Sequence, residues 1–197
     1  MQPITDLNQL DPGKLYTYAD YLTWQFTETV ELVKGTIFPM AAPSVRHQKV
    51  SWQITRFMVT AFHNKPCQAF AAPFDVRLFD RLRKPKFDGD IHTVVQPDLC
   101  VICDETKLDE RGCLGAPDLI IEILSPGNTK KEMKTKFRLY EEAGVQEYWL
   151  VEPNDKAVFV YILQGEEYIG LRPQTDEDTV VSRLFPELVV DLAEVFV

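Results

Sequence analysis

The sequence predicts a mixed α/β (α+β) fold, a central β-sheet flanked by two principal helices. Three observations carry that expectation. Two short apolar runs, Val94 to Ile102 and Asp118 to Ser125, have the length and β-branched content of strands with little water on either face. A helix with start and stop signals follows the second run, between Thr129 and Gly144. A second helical pattern lies upstream, from Val45 to about His63.

Taken in order, residues 1–16 read as a loose lead-in and Thr17 to Trp24 as a short helix carrying Tyr18, Tyr21 and Leu22. Val30 to Phe38 reads as a hairpin turning at Lys34-Gly35, with Glu31 in apolar company in its first strand. After the Pro43 break, Ser44 is an N-cap for the helix from Val45. That helix has Val50, Ile54, Phe57, Met58 and Ala61 on its inner face, and His47 on the same face in the first turn. Phe70 to Phe79 reads as one strand, with a polar loop from Asp80 to Gly89 behind it.

The two acid-bearing runs come next, joined through Gly112, Gly115 and Pro117; Ser125-Pro126-Gly127 breaks the second. The following helix opens on a capping box, Thr129-x-x-Glu132, and Gly144 suits its C′ position. Its apolar stripe is Met133, Phe137, Tyr140 and Ala143, and Lys136 lies along that stripe. Val145 to Val151 reads as a strand, Ala157 to Leu163 and Tyr168 to Leu171 as a hairpin around Gly165, and Thr179 to Leu184 as a further strand. Glu187 to Val197 mixes strand and helix signals. No repeat, low-complexity tract or linker divides the chain, so residues 1–197 are expected to form one domain.

Hydrophobic content of 45% with 26% charged residues excludes a disordered or fibrous chain. No apolar run approaches the roughly 20 residues of a membrane span, and Met1 to Tyr16 lacks the pattern of a signal peptide. Cys67, Cys100, Cys103 and Cys113 are few for this length, which suits free thiols in a reducing cytoplasm. A net charge of −9 argues against non-specific nucleic-acid binding. Basic residues nevertheless gather in two places: Arg77, Arg81, Arg83, Lys84 and Lys86 against Asp80, and Lys130, Lys131, Lys134, Lys136 and Arg138 against Glu132. A basic run of this kind is most often a solvated face.

A carboxylate in an apolar strand must find a cation, a metal or a proton. Asp98 and Glu122 therefore read either as ligands of a divalent metal or as buried partners of Lys136 or an arginine. Two strand carboxylates and an inward lysine can hold a metal and an attacking water beside a phosphodiester. Lys136 can equally pair with Glu132 along its helix. Glu31 is a third carboxylate or a hairpin edge residue, and His47 bonds to the site or satisfies a helix end. Cys100-x-x-Cys103 has zinc-like spacing, but three steps along a strand point the two thiols to opposite faces. Ser125 lacks a Gly-x-Ser-x-Gly setting, and no phosphate-cradling glycine loop is present.

Several blocks together resemble a known family. They are Glu31-Leu32-Val33-x-Gly35, His47, Pro97-Asp98, Gly115-Ala116-Pro117-Asp118-Leu119-Ile120-Ile121-Glu122-Ile123-Leu124-Ser125-Pro126, Lys136-x-x-x-Tyr140 and Gly144-Val145-x-Glu147-Tyr148-Trp149-Leu150-Val151. By these the chain is similar to the Uma-two family of bacterial restriction-endonuclease-like proteins, within the PD-(D/E)XK nuclease superfamily. The resemblance implies a restriction-endonuclease-like core with a mixed four- or five-stranded sheet. It also implies magnesium, with manganese as a substitute, held by Asp98 and Glu122, and a lysine that helps activate water. The superfamily lysine stands two residues after the second acid; Leu124 occupies that position here, and Lys136 from the next helix fits a migrated lysine. The expected function is a magnesium-dependent DNA endonuclease with Asp98, Glu122, Lys136, Glu31 and His47 in its catalytic site, acting on DNA as a cytoplasmic homodimer. The alternatives are a binding protein that keeps the nuclease fold without turnover, and a metal-dependent hydrolase of another phosphate ester.

Overall fold

The structure, a computed structural model, describes residues 3–81, 84–125 and 129–197. The chain opens with a one-turn helix α1 (Tyr18–Tyr21), whose Thr17 and Asp20 form a capping box. The hairpin β1 (Val30–Val33) and β2 (Thr36–Pro39) turns at Lys34 and Gly35, both at positive φ, 50° and 81°. Helix α2 (Val45–Phe62) follows, capped by Ser44. Then come β3 (Gln68–Ala71), β4 (Val76–Leu78), β5 (Thr93–Val95), β6 (Leu99–Ile102), the short pair β7 (Leu108–Asp109) and β8 (Gly112–Leu114), and β9 (Leu119–Ile123). Helix α3 (Lys130–Ala143) starts on the Thr129–Glu132 capping box and ends at Gly144 in the left-handed region. After it run β10 (Glu147–Glu152), β11 (Ala157–Gln164), β12 (Glu167–Gly170), β13 (Gln174–Thr175), β14 (Thr179–Val181), β15 (Val189–Asp191) and the final turn α4 (Leu192–Val195).

Among the described residues the expected central sheet is accompanied by a second large one. The larger sheet has the order β12-β11-β10-β9-β6-β3, with β13 paired to β11, and is mixed because β9 and β10 are parallel. The smaller has the order β2-β1-β5-β4-β8-β7, and β14 pairs with β15 alone. Two runs expected as single strands each contribute to both sheets. Phe70 to Phe79 breaks into β3 and β4, and Val94 to Ile102 into β5 and β6. β3 pairs with β6 and β4 with β5, so the two runs cross from one sheet to the other side by side. Pro73 and Pro97 stand at the crossings, where a residue without an N–H cannot continue a ladder.

Alternation along β9 divides the core. Leu119, Ile121 and Ile123 join Val50, Ile54 and Met58 of α2 and the C-terminal Leu188, Val190 and Leu192 on one face. Ile120, with Cys100, Tyr148, Leu139 and Tyr140, packs under α3 and the smaller sheet on the other. Side chains such as Ile121 and Met58, essentially unexposed, each contribute about 1.5–3 kcal/mol by leaving water.

Two expectations are corrected. Cys67 and Cys103 are not free thiols: they form a disulfide that ties the start of β3 to the end of β6. Cys100 and Cys113 are free and buried, so Cys100 and Cys103 do face different surroundings. The first basic cluster is not one solvated face, because Arg77 is fully buried, donating to Asp109 at 2.7 Å and to the Cys113 carbonyl at 3.2 Å. Arg83 of that cluster, and Pro126-Gly127 of the expected strand break, lie outside the described residues. Among the described residues no helix is long and apolar enough to cross a membrane.

Candidate active site

β6 and β9 run antiparallel with Leu99 opposite Ile121, so Asp98 and Glu122 come together one step further along. Asp98 Oδ2 accepts the Ile123 backbone N–H at 2.7 Å. Its Oδ1 lies 3.1 Å from His47 Nε2. The Ser44 hydroxyl accepts the His47 N–H at 3.1 Å, which fixes the first turn of α2. His47 is then three residues from Val50 and seven from Ile54, on the face that packs against the sheet.

Glu122 alternates with Ile121 and Ile123 and so faces α3. Its Oε1 accepts from Lys136 Nζ at 3.0 Å and from the Tyr140 hydroxyl at 2.5 Å, two groups one helical turn apart. Lys136 Nζ also donates to Glu31 Oε1 at 2.9 Å. That same Glu31 oxygen accepts the Gln96 backbone N–H at 2.9 Å. The Gln96 amide continues to Asp75 Oδ1 at 2.8 Å. The structure thus gathers Asp98, Glu122, Lys136, Glu31 and His47 into one cluster, drawn from both large sheets and both long helices. The ion pairs of Lys136 run across the fold to Glu31 and Glu122.

Two members of the cluster were not among the expected site residues. Tyr140 had a signal, four residues after Lys136 on the same stripe, but a tyrosine there reads equally as core. Gln96 acts on Glu31 through its backbone N–H, for which no residue type is a signal.

Charge balance sets the chemistry. Three carboxylates, Glu31, Asp98 and Glu122, face one lysine and one histidine. Burial pushes the Glu122 carboxyl up to about 7; the charges of Asp98 and Glu31 add to that push, and Lys136 and Tyr140 only partly oppose it. Burial works to lower Lys136, but Glu122 and Glu31 outweigh it and hold the amine above its ordinary value. His47 follows the same pattern: burial lowers it, and the Asp98 hydrogen bond and charge turn the net shift upward. The Tyr140 hydroxyl is driven up by burial and by Glu122, so it stays a donor.

The oxygen donors suit a hard divalent cation. Among the described residues no three of His, Cys, Asp and Glu are gathered as a ready metal cage. Magnesium does not require one, since one or two carboxylates commonly hold it while waters and substrate phosphates complete the shell. Glu122 spends Oε1 on Lys136 and Tyr140, and among the described residues nothing donates to its Oε2. Asp98 is the most open of the three acids, 17% exposed at the side chain against 3% for Glu31. Asp98, the most open of the three, and Glu122, with its Oε2 free of donors among the described residues, would be the residues to hold the metal, while Glu31 is nearly unexposed and its Oε1 is taken by Lys136 and Gln96.

The fold is shared with the crystal structure of a "putative nuclease belonging to DUF820" from Anabaena variabilis ATCC 29413, which superposes with a TM-score of 0.72 at 23% identity, over 92% of this chain and 97% of that one. The family model described as "Uma2: Putative restriction endonuclease" matches residues 18–193, a span that includes every member of the cluster. The chain belongs to that family. Two proteins of Synechocystis sp. (strain ATCC 27184 / PCC 6803 / Kazusa) are also similar. One, sll1609, is 27% identical over 164 residues, 81% of this chain and 84% of that protein. The other, slr1290, is 23% identical over 145 residues, 72% of this chain and 71% of that protein.

Proposed function

We propose that this chain is a magnesium-dependent DNA endonuclease, with manganese as a substitute metal, that hydrolyses phosphodiester bonds at the Asp98–Glu122 pair. The observation that carries the reading is an excess of buried carboxylate over cation at one end of the β6–β9 pair. Asp98 and Glu122 would hold the metal. When bound, the metal polarises the phosphoryl oxygens and makes an attacking water more acidic. Lys136, kept protonated by Glu31 and Glu122, donates to the water or the phosphate and offsets negative charge; it does not take a proton. Glu31 and Gln96 orient Lys136, Tyr140 fixes Glu122, and His47 and the Ile123 N–H aim Asp98. DNA as substrate goes with a cytoplasmic location, and a homodimer would place one site on each strand of a duplex.

The test is cleavage of supercoiled plasmid, linear duplex and single-stranded DNA with magnesium or manganese. Asp98→Ala and Glu122→Ala are expected to lower the rate on the order of a thousandfold. Lys136→Met is expected to fold and lose cleavage, and Lys136→Arg to recover little, because a bulkier planar group cannot stand where a point charge sits between two acids. Lys134→Met controls for general positive charge. A wild type inert on every DNA form with either metal would leave the non-catalytic binding protein as the better reading.

A further inference from the structure

Beside His47, the first turns of α2 border a second feature. A cavity of about 360 Å³ opens between α2, the turn from β10 to β11 and the C-terminal residues. Its polar wall is Arg46, Lys49, Asn154 and Lys156, and its floor includes Val50 and Phe196. Arg46 and Lys49, three residues apart, share one side of the helix, next to the face that carries His47 and Val50. Arg46 immediately precedes His47, whose side chain meets Asp98.

The charge here runs against that of the whole. The chain carries a net charge of −9, yet α2, from Val45 to Phe62, contains Arg46, Lys49 and Arg56 and no Asp or Glu. Arg56 is paired with Glu194 and Lys156 with Asp176 at 2.9 Å. Arg46 Nη1 donates to the neutral Asn154 Oδ1 at 2.7 Å, which leaves its charge uncompensated by an acid. The Lys49 side chain has neither a hydrogen bond nor an ion pair among the described residues. Arg46 and Lys49, neither ion-paired among the described residues, thus line the cavity together with the paired Lys156 and the last residue, Val197.

We propose that this cavity is a phosphate subsite that holds a non-scissile backbone phosphate of the nucleic-acid strand being cut. The proposal rests on the nuclease reading above. It gives an acidic protein a local means of holding a polyanion: α2 carries cations and no acid, and Arg46 and Lys49 meet the strand away from the acids of the metal pocket. A phosphate grip of this kind fixes register and adds affinity without reading sequence.

The test uses the full chain carrying Glu122→Gln, so that bound DNA is not cut, and fluorescein-labelled duplexes of two unrelated sequences, followed by anisotropy across a sodium chloride series. Adding Arg46→Gln or Lys49→Gln is expected to weaken binding several-fold and equally for both sequences. Each is also expected to reduce the slope of log K against log salt by about one. Lys65→Gln, beyond the far end of α2, should change neither. Unaltered melting temperatures exclude misfolding. If the parent binds DNA and neither substitution moves affinity or slope, the subsite is wrong while the nuclease reading stands. If the wild type neither binds nor cuts DNA, both readings fall. The subsite also falls if inorganic phosphate perturbs the Arg46 and Lys49 amide resonances in a protein that binds no DNA, since the cavity would then take a small anion and not a strand.

Discussion

Two glutamates on neighbouring parallel strands solve the problem of a buried carboxylate in opposite ways. Glu147, at the start of β10, is wholly unexposed and lies on the same face of the sheet as Trp149 and Val151. Neutral donors alone surround it: Trp149 Nε1 at 2.6 Å and the Arg183 N–H at 3.3 Å on Oε1, and the Ser182 hydroxyl and Leu184 N–H, both at 2.8 Å, on Oε2. Glu122, near the end of β9 on the other face, has two donors on one oxygen, two acids nearby and a carboxyl driven up to about 7. Saturated oxygens make a clamp, here holding residues 182–184 against the sheet; an unsaturated oxygen in an acid-rich pocket stays available to a cation. Burial alone does not separate them, and both lie within the family motifs. The count and charge of the donors does.

The largest effect expected from this difference is on folding. Glu147→Ala leaves Trp149, Ser182 and two backbone N–H groups without an acceptor, and should cost about 3–5 kcal/mol in urea denaturation. Glu122→Ala removes a group that opposes folding at neutral pH and should cost far less. Equal losses for the two would erase the distinction.

Next in size is the pH dependence of that opposition. Glu122 has an ordinary value of 4.5 and is raised to about 7 in the fold, a shift worth about 3 kcal/mol. Its folded form holds the proton more tightly than the unfolded chain does. Stability is therefore greatest below pH 4.5 with respect to this group, falls as pH rises from 4.5 to 7, and is flat above. Glu122→Gln should flatten that slope and leave the metal-free protein more stable than the wild type at pH 7.5. Denaturation midpoints between pH 4 and 8 measure both. A Gln variant destabilised throughout would class Glu122 with Glu147, as a structural partner of Lys136.

Much of this site was legible in the sequence because its parts announce themselves locally. A carboxylate inside Leu119–Ile123 has no place in an apolar strand, and Lys136 sits on the apolar stripe of a helix whose caps, Thr129 and Gly144, are plain. Ser44 likewise placed the start of α2, and with it His47. What stayed hidden depends on distant partners. The crossings at Pro73 and Pro97 were masked because apolar residues continue on both sides, and only pairing shows that β5 and β6 belong to different sheets. The Cys67–Cys103 bond joins residues 36 apart that adjacent strands bring together. Gln96 is invisible because its contribution is a main-chain donor.

A metal tests the same contrast from the ligand side. A divalent cation at a hundred times its dissociation constant stabilises the folded state by about 2.7 kcal/mol if it binds only that state. For a chain of this length, that corresponds to several degrees in melting temperature. Magnesium and manganese should raise the wild-type melting temperature by this much, with sodium chloride at matched ionic strength as the control. Asp98→Asn and Glu122→Gln should lose the response, whereas Glu147→Gln, less stable at the outset, should keep it. An unchanged wild-type melting temperature with both metals would remove the physical basis for a metal at this pair.

The smallest effect concerns His47, among the described residues the one titrating group that meets Asp98 side chain to side chain. Its ordinary value is 6.5, and the hydrogen bond and charge of Asp98, helped by Glu122, raise it against the effect of burial. A group raised in the fold contributes stability that is complete below its unfolded value and disappears as pH climbs through the folded one. His47→Gln should therefore cost more at pH 5.5 than at pH 9. Protonation also places a hydrogen on Nδ1, which among the described residues is buried without a partner, so the difference is smaller than the Asp98 contact alone would give. Measured in the Glu122→Gln background, the difference is free of Glu122's own titration in the same window. Following the His47 ring by NMR gives the same answer without denaturation: its pKa should fall in Asp98→Asn and stay put in Glu147→Gln. A cost independent of pH would mean that His47 contributes only packing. Asp98 would then be aimed by the Ile123 N–H alone, and the upward push on Glu122 would come from a carboxylate with no cation beside it.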